Sequence, residues 1–249
     1  MKKNDRQQLI IDMVMLQRKV LSDQLSLELN VSGDTIRRDL NELDDKGMLT
    51  KVHGGAVSSI QKLFHYNENA VFNREKKKMI AAKAVPLLEE GMVAILTGGT
   101  TNLVFVSNLP KDLKATIYTF SLEIALQLTD HPNIETIFIG GKIRKKSMVA
   151  IGIDVFQNLS RVHADICFIG ASGITLNEGI TDEGYEIALI KKAMIEASDK
   201  AISLITSNKL SIRHNYSVCP LSEIDVIVTD LNADNTLLDA YRMEELLIL

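Results

Sequence analysis

Hydrophobic positions in the first sixty residues recur at helical spacing in three bouts separated by polar breaks. Leu9, Met13 and Leu16 predict a first amphipathic helix. Ser22 can cap a second that carries Leu25 and Leu29, with Asn30 and Val31 as a short turn after it. Ser32 then sits where an N-cap belongs, and Ile36, Leu40 and Leu43 give the third helix one apolar stripe. Rotation of about 100° per residue puts Asp34, Arg38 and Asn41 on the opposite face, with Thr35 and Arg37 at its flanks. Residues 48–57 follow as a glycine-tipped ribbon. The pattern is that of a helix-turn-helix with a wing, spanning residues 1–57.

Residues 58–73 are polar, with scattered Phe64, Tyr66 and Phe72 and no clean period, and read as a linker. Arg74-Glu75-Lys76-Lys77-Lys78 opens a helix carrying Ile80, Ala84, Val85 and Leu88 and ended by Gly91, its basic run reading as a solvated first turn. From there short apolar runs alternate with helical stretches, which predicts an α/β domain over 74–249 with a mostly parallel sheet. The strands expected are 92–96, 116–120, 136–139, 166–169, 201–205 and 226–229. The apolar end, from Leu237 and Leu238 through Met243 to Leu246, Leu247, Ile248 and Leu249, suits a final helix docked on that sheet, with a subunit interface as the alternative.

A recognition helix uses its N-terminal residues on base edges and its flanks on phosphates of double-stranded DNA, which assigns Ser32, Thr35, Arg37 and Arg38, joined from the wing by Lys51 and His53. Charge sharpens this. Residues 1–57 hold nine basic and nine acidic side chains, so the head gains nothing from bulk attraction and depends on local placement of its cations. Pairing of two heads, in a homodimer or homotetramer, is the physical expectation.

In parallel sheets ligands bind beyond the carboxyl ends of the strands. Here those positions are rich in glycines and hydroxyls: Gly98, Gly99, Thr100 and Thr101 after the first strand, Ser121 after the second, Gly141 and Arg144 after the third, Ser172 and Gly173 after the fourth. Glycines let backbone approach an anion, and the first amides of a helix attract it. Lys191 and Lys209 are the cations expected to complete a phosphate site. The P-loop ending and the Gly-x-Gly-x-x-Gly fingerprint are both missing, which disfavours nucleotides.

Val31-Ser32, Thr35-Ile36-Arg37-Arg38-Asp39-Leu40 and His53-Gly54-Gly55-Ala56 resemble the signature of DeoR-type bacterial transcriptional regulators. The resemblance continues through the Gly-Thr-Thr loop, the Gly140-Gly141 pair, Gly170-Ala171-Ser172-Gly173, Ile190-Lys191-Lys192-Ala193-Met194-Ile195 and residues 224–230. It implies a sensor domain similar in fold to ribose-5-phosphate isomerase, a phosphorylated-sugar effector, and a repressor released from its operator. Three positions depart from the family pattern. Thr97 and Thr206 stand where aspartates are usual and Phe120 where an asparagine is, so the phosphate cradle is expected to survive while recognition of the sugar has changed.

Two other readings share these residues. A sugar-phosphate isomerase with a DNA-binding head needs a placed proton shuttle; Asp182, Glu183 and Glu186 are the carboxylates at hand, but a helix start explains them as capping and dipole partners. A second domain that only oligomerises would tolerate loss of Thr100, Thr101 and Lys191. Composition, 46% hydrophobic with a net charge of −4, fits a cytoplasmic globular protein. The polar start is no signal peptide, and no run reaches the roughly 18 apolar residues of a membrane span. Cys167 and Cys219 stand apart from each other and from metal-binding spacings, so neither disulfide, zinc nor cofactor is expected.

Overall fold

The computed structural model describes residues 3–17, 19–46, 48–58, 73–242 and 246–249. The chain forms two compact units, Met1–Asn67 and Glu68–Leu249. Most of the stretch read as a linker, with Phe64, Tyr66 and Phe72, lies outside the described residues, as do Met243 and the side chain of Leu16.

The first unit runs α1 (Lys3–Gln17), β1 (Lys19–Leu21), α2 (Ser22–Glu28), α3 (Gly33–Asp45), β2 (Leu49–Val52) and β3 (Gly55–Ser58). Ile10, Val14, Val20, Leu25, Ile36, Leu40, Leu43, Leu49 and Ala56 form its core. The stripe on α3 is as expected. On α1 it is rotated by one position: Gln7, Ile10 and Val14 are buried, whereas Leu9 is 44% exposed. Seven of the eight residues from 9 to 16 are apolar, so periodicity cannot select the face. Polar contacts select it. Arg6 Nε lies 2.6 Å from Asp39 Oδ2, and Gln7 Nε2 donates to Asp39 Oδ1 at 3.1 Å and to Glu42 Oε2 at 3.0 Å. The cap of α2 is also corrected: Leu21 holds that position in extended backbone, and Ser22 is the first helical residue. Lys19–Leu21 is a strand that the sequence pattern did not predict, and it pairs antiparallel with β3.

The second unit runs α4 (Arg74–Ala84), β4 (Val93–Leu96), α5 (Thr100–Ser107), β5 (Ala115–Thr119), α6 (Leu122–Leu128), β6 (Ile134–Phe138), β7 (Lys142–Arg144), β8 (Val149–Ile151), α7 (Ile153–Leu159), β9 (Ile166–Gly170), β10 (Gly173–Thr175), β11 (Gly179–Asp182), α8 (Tyr185–Glu196), β12 (Ala201–Leu204), β13 (Tyr216–Cys219), β14 (Val226–Val228) and β15 (Leu247–Ile248). The main sheet has the order β15-β14-β12-β9-β4-β5-β6, every pair parallel. Its central strands are apolar on both faces, as burial beneath helices on each side requires. The six expected strands are all present, within two residues at each end.

Two expectations change. The apolar end is not a final α-helix among the described residues: Thr236–Tyr241 is a 3-10 helix, and β15 adds a parallel edge strand beside β14. Nor is the basic run on α4 a solvated turn, since Lys77 is only 8% exposed. Lys77 Nζ donates to Thr100 Oγ1 at 2.7 Å, Lys76 Nζ to Ser207 Oγ at 2.8 Å, and Lys83 Nζ to the carbonyl of Thr229. Lys77 lies three residues before Ile80 and seven before Ala84, both fully buried, so it continues their stripe.

Asp39→Ala strands the partly buried guanidinium of Arg6 and removes one of the two carboxylates that Gln7 donates to. The head should lose about 2 kcal/mol, seen as an earlier first transition in urea unfolding of the full chain. An unmoved transition would show that apolar packing alone holds α1 on α3.

Candidate nucleic-acid interface and ligand cleft

Ser32 caps α3 from extended backbone, its Oγ accepting from the Thr35 amide at 3.3 Å and lying 2.9 Å from Thr35 Oγ1. The two hydroxyls are thus tied together at the exposed start of the helix. Arg37 pairs with Asp34 at 3.3 Å in full solvent, a contact weak enough to exchange for a phosphate. Arg38 is exposed and has no ion pair among the described residues. Lys51 Nζ reaches from the wing to Asn41 Oδ1 on α3 at 2.6 Å. His53 and Gly54 form the turn between β2 and β3, with Gly54 at φ +78°, and His53 is exposed at its tip. Gly55 answers a different need, because a Cβ there would collide with the carbonyl of Val20 as β1 pairs across it. The six residues assigned to DNA therefore lie on the exposed side of α3 and the wing. Asp39, between them in sequence, faces the core instead.

In the second unit an open cleft of about 420 Å³ lies at the carboxyl ends of the strands, lined among others by Gly98, Gly99, Thr100, Arg144, Ser172 and Lys191. Gly98 packs so closely that a Cβ would meet Val149 Cγ1 at 2.9 Å and Ser121 Oγ at 3.0 Å. Gly99, at φ +109°, is the N-cap of α5 and brings no side-chain oxygen to it. The helix start, with its partial positive charge and amides lacking intrahelical acceptors, is left for an outside anion.

Lys191 is 6% exposed, and its ammonium donates to the Gly170 carbonyl and to Asp182 Oδ2 at 2.6 Å. Burial alone would raise the Asp182 carboxyl, but the charge and hydrogen bond of Lys191, with the amides of Gly184 and Glu183, hold it below the usual carboxylate range. Asp182 is therefore a lysine partner at a strand end, not the helix-dipole partner expected; the cap of α8 is Gly184. An added Cβ on Gly184 would strike the Arg144 guanidinium, so this glycine is where Arg144 crosses to α8.

The remaining residues assigned to the effector lie behind the cleft wall. Thr101 is buried in the first turn of α5, and Ser121 caps α6 by accepting from the Ile124 amide. Gly141 and Gly173 sit where backbone passes close to Ile151 and Ile212. Lys209 Nζ donates to the Ala171 carbonyl at 2.6 Å; burial, then the charges of Lys191 and Lys77, push its pKa down. Three ammonium groups thus gather beside the glycine loop. Of the departing positions, Thr97 Oγ1 joins strand ends by accepting from Asn102 Nδ2 at 2.7 Å and the Gly170 amide at 3.0 Å. Phe120 is an apolar part of the wall and Thr206 is buried.

Sequence reasoning missed Glu123, took Lys77 for part of a solvated turn and misassigned Asp182. Glu123, Lys146, Asp182 and Glu183 all line the cleft, which is therefore not short of carboxylates. The stripe through Ile80 and Ala84 could have revealed Lys77, whereas no local pattern marks Glu123. Cys167 and Cys219 are buried, and burial pushes both thiols up to about 12.

A model of the DeoR-like helix-turn-helix domain matches residues 6–62, and one of the DeoR C terminal sensor domain matches residues 72–231. The chain belongs to the DeoR family. The HTH-type transcriptional regulator GolR of Listeria innocua is 32% identical over 240 residues, 96% of this chain and 94% of that one. The HTH-type transcriptional repressor GlcR of Bacillus subtilis is 32% identical over 226 residues, 89% and 86% of the two chains. A solved ribose 5-phosphate isomerase A from Methanocaldococcus jannaschii matches 56% of this chain and 55% of its own at 20% identity and a TM-score of 0.42. This DeoR-family protein is a DNA-binding transcriptional regulator. Among the described residues no helix is long and apolar enough to cross a membrane.

Arg38→Ala should weaken binding to DNA from upstream of the protein's own gene by about tenfold at fixed salt, read by fluorescence anisotropy; unchanged affinity would remove Arg38 from the interface. In the second unit, the lowered Asp182 carboxyl contributes stability that is present above the ordinary carboxylate range and lost as pH falls through its folded value. Asp182→Asn should flatten the acid limb of the thermal-stability profile between about pH 5 and 2. An acid limb as steep as that of the unsubstituted protein would contradict the assignment.

Proposed function

We propose that the protein is a repressor of sugar-metabolism genes in the cytoplasm, acting as a homodimer or homotetramer on operator DNA and released by a phosphorylated sugar bound in the second unit's cleft. The observation that carries the reading is the loop 97–100, where glycine backbone and an uncapped helix start face Lys191 in a cleft that Arg144 also lines. A phosphate dianion there would take amide donors and offset the crowding of Lys77, Lys191 and Lys209. GlcR, named as a repressor, supports the direction of control.

Lys77 supplies a route from the ligand to the heads. It stands on α4, the first described helix after residues 59–72, and its ammonium is bonded to Thr100 at the mouth of the glycine loop. An anion at Thr100 competes for or reinforces that bond and so biases the helix that leads out of the connecting segment. The coupling is a population shift, in which the effector favours whichever arrangement it binds better.

The test is anisotropy of the full chain on DNA from upstream of its own gene, at fixed salt, with inorganic phosphate, glycerol 3-phosphate, ribose 5-phosphate, glucose 6-phosphate and fructose 6-phosphate. Release by a sugar phosphate is expected, at least tenfold in apparent affinity; DNA binding indifferent to all of them would overturn the effector reading. Lys191→Met should keep DNA affinity and abolish release. Lys77→Met should still bind the releasing sugar phosphate by calorimetry yet respond at least fivefold less on DNA. A Lys77 variant that is released normally would exclude this route.

A further inference from the structure

The cleft holds one carboxylate that has no partner among the described residues. Three carboxylates line it: Asp182, Glu183 and Glu123. Asp182 is bonded to Lys191 and to the Gly184 amide. Glu183 is exposed and acts on Lys209 through its charge. Glu123 alone has neither a hydrogen bond nor an ion pair among the described residues, although its side chain is half-buried. Burial is the only influence on its carboxyl, pushing its pKa up with no neighbouring cation to offset it. In the open cleft water serves this partly dehydrated carboxylate, and an occupant that displaces the water has to supply donors in its place.

Its place in the fold limits what that donor is. Glu123 stands in the first turn of α6, whose cap Ser121 lies directly beneath Gly98. Loop 97–100 and Glu123 are therefore parts of one wall, the first offering donors to an anion and the second repelling one. Phe120, between them in the wall, offers no polar group. A ligand that satisfies both ends carries a phosphate at one and hydrogen-bond donors at the other. A dipole partner for α6 is the structural alternative, since an acid in a first turn stabilises a helix. That role is served equally by a side chain in full solvent and does not call for one in the cleft wall.

We infer that Glu123 is the specificity-determining residue of the cleft: its carboxylate accepts hydrogen bonds from hydroxyl groups of the effector's sugar and keeps the phosphate at the glycine loop. This rests on the sugar-phosphate reading above and names the residue that reads the sugar. Two carboxylate oxygens can take two hydroxyls at once, so polyhydroxylated ligands gain over inorganic phosphate, which has no sugar hydroxyls to reach Glu123 from the glycine loop.

Calorimetry on the full chain separates the two ends. The ligands are inorganic phosphate, glycerol 3-phosphate, ribose 5-phosphate, glucose 6-phosphate and fructose 6-phosphate, measured on the unsubstituted protein, Glu123→Leu and Glu123→Gln. The unsubstituted protein should bind at least one sugar phosphate tenfold or more tightly than inorganic phosphate. Glu123→Leu should erase that ratio while leaving inorganic phosphate within twofold, and Glu123→Gln, which keeps one acceptor, should fall between. The inference is overturned if Glu123→Leu preserves the ratio, if it weakens both ligand kinds in parallel as a damaged scaffold would, or if the unsubstituted protein shows no preference for any sugar. Binding of neither phosphate nor sugar phosphates by the unsubstituted protein is a different result, which removes the cleft reading itself.

Discussion

A buried ammonium has to be surrounded by acceptors, and much of the second unit's architecture follows from meeting that demand for Lys191. Its partners are the carbonyl of Gly170, at the end of β9, and the carboxylate of Asp182, at the end of β11. One side chain on α8 thereby joins the main sheet to the small antiparallel sheet beside it. The consequences spread outward. Asp182 is turned to the cleft side of its strand, its second oxygen fixes the Gly184 amide, and Gly184 gives Arg144 room to cross. Lys209 holds the next residue of the same turn through the Ala171 carbonyl. An ammonium has three donors, and the two bonds to Gly170 and Asp182 leave Lys191 one for a ligand in the cleft it lines. An apolar residue could pack there without any of this cost, so the ammonium is explained by what it organises.

The first unit uses the same device on a smaller scale. Its apolar core brings α1, α2 and α3 together but does not choose among the faces of α1, nearly all of which are apolar between residues 9 and 16. Arg6 and Gln7 choose by meeting Asp39. This accounts for the neighbouring Arg37, Arg38 and Asp39 having opposite fates: two arginines exposed, and an aspartate committed to the interior. A run of charged residues that looks uniform in sequence is divided by helical geometry into a solvent-exposed pair and a structural anchor.

Such divisions explain what could be read in advance. The parallel strands were legible because burial on both faces writes them as continuous apolar runs, as in Ile166 to Ile169. The stripe of Ile36, Leu40 and Leu43 was legible for the equivalent reason on a helix. Lys19–Leu21, Gly173–Thr175 and Leu247–Ile248 were not, since strands of two or three residues are shorter than any period that could reveal them. In the cleft, the glycines and Lys191 stood out by residue type and position after a strand. Glu123 and Lys77 are defined by three-dimensional neighbours: an acid in the first turn of a helix has an ordinary local explanation, and a lysine in a basic run has another. Thr97 and Thr206 stand where aspartates are usual, and the cleft takes its carboxylates Glu123 and Glu183 from other positions in the chain.

The energetics of control then turn on few contacts. A twentyfold change in DNA affinity corresponds to about 1.8 kcal/mol of coupling, within the about 1.5 to 3 kcal/mol assigned to one hydrogen bond involving a charged group. The Lys77 bond to Thr100 is of that kind, and it is well placed to matter because the rest of α4 is held elsewhere. Lys76 is tied to Ser207 and Asp230, and Lys83 to the carbonyls of Thr229 and Leu231. Those anchors sit at the exits of β12 and β14, two and three strands along the sheet from β4 and its glycine loop. On the proposed reading, a ligand at Thr100 need not move the helix as a whole. It has only to change the bond between Lys77 and Thr100, while Lys76 and Lys83 keep their own anchors.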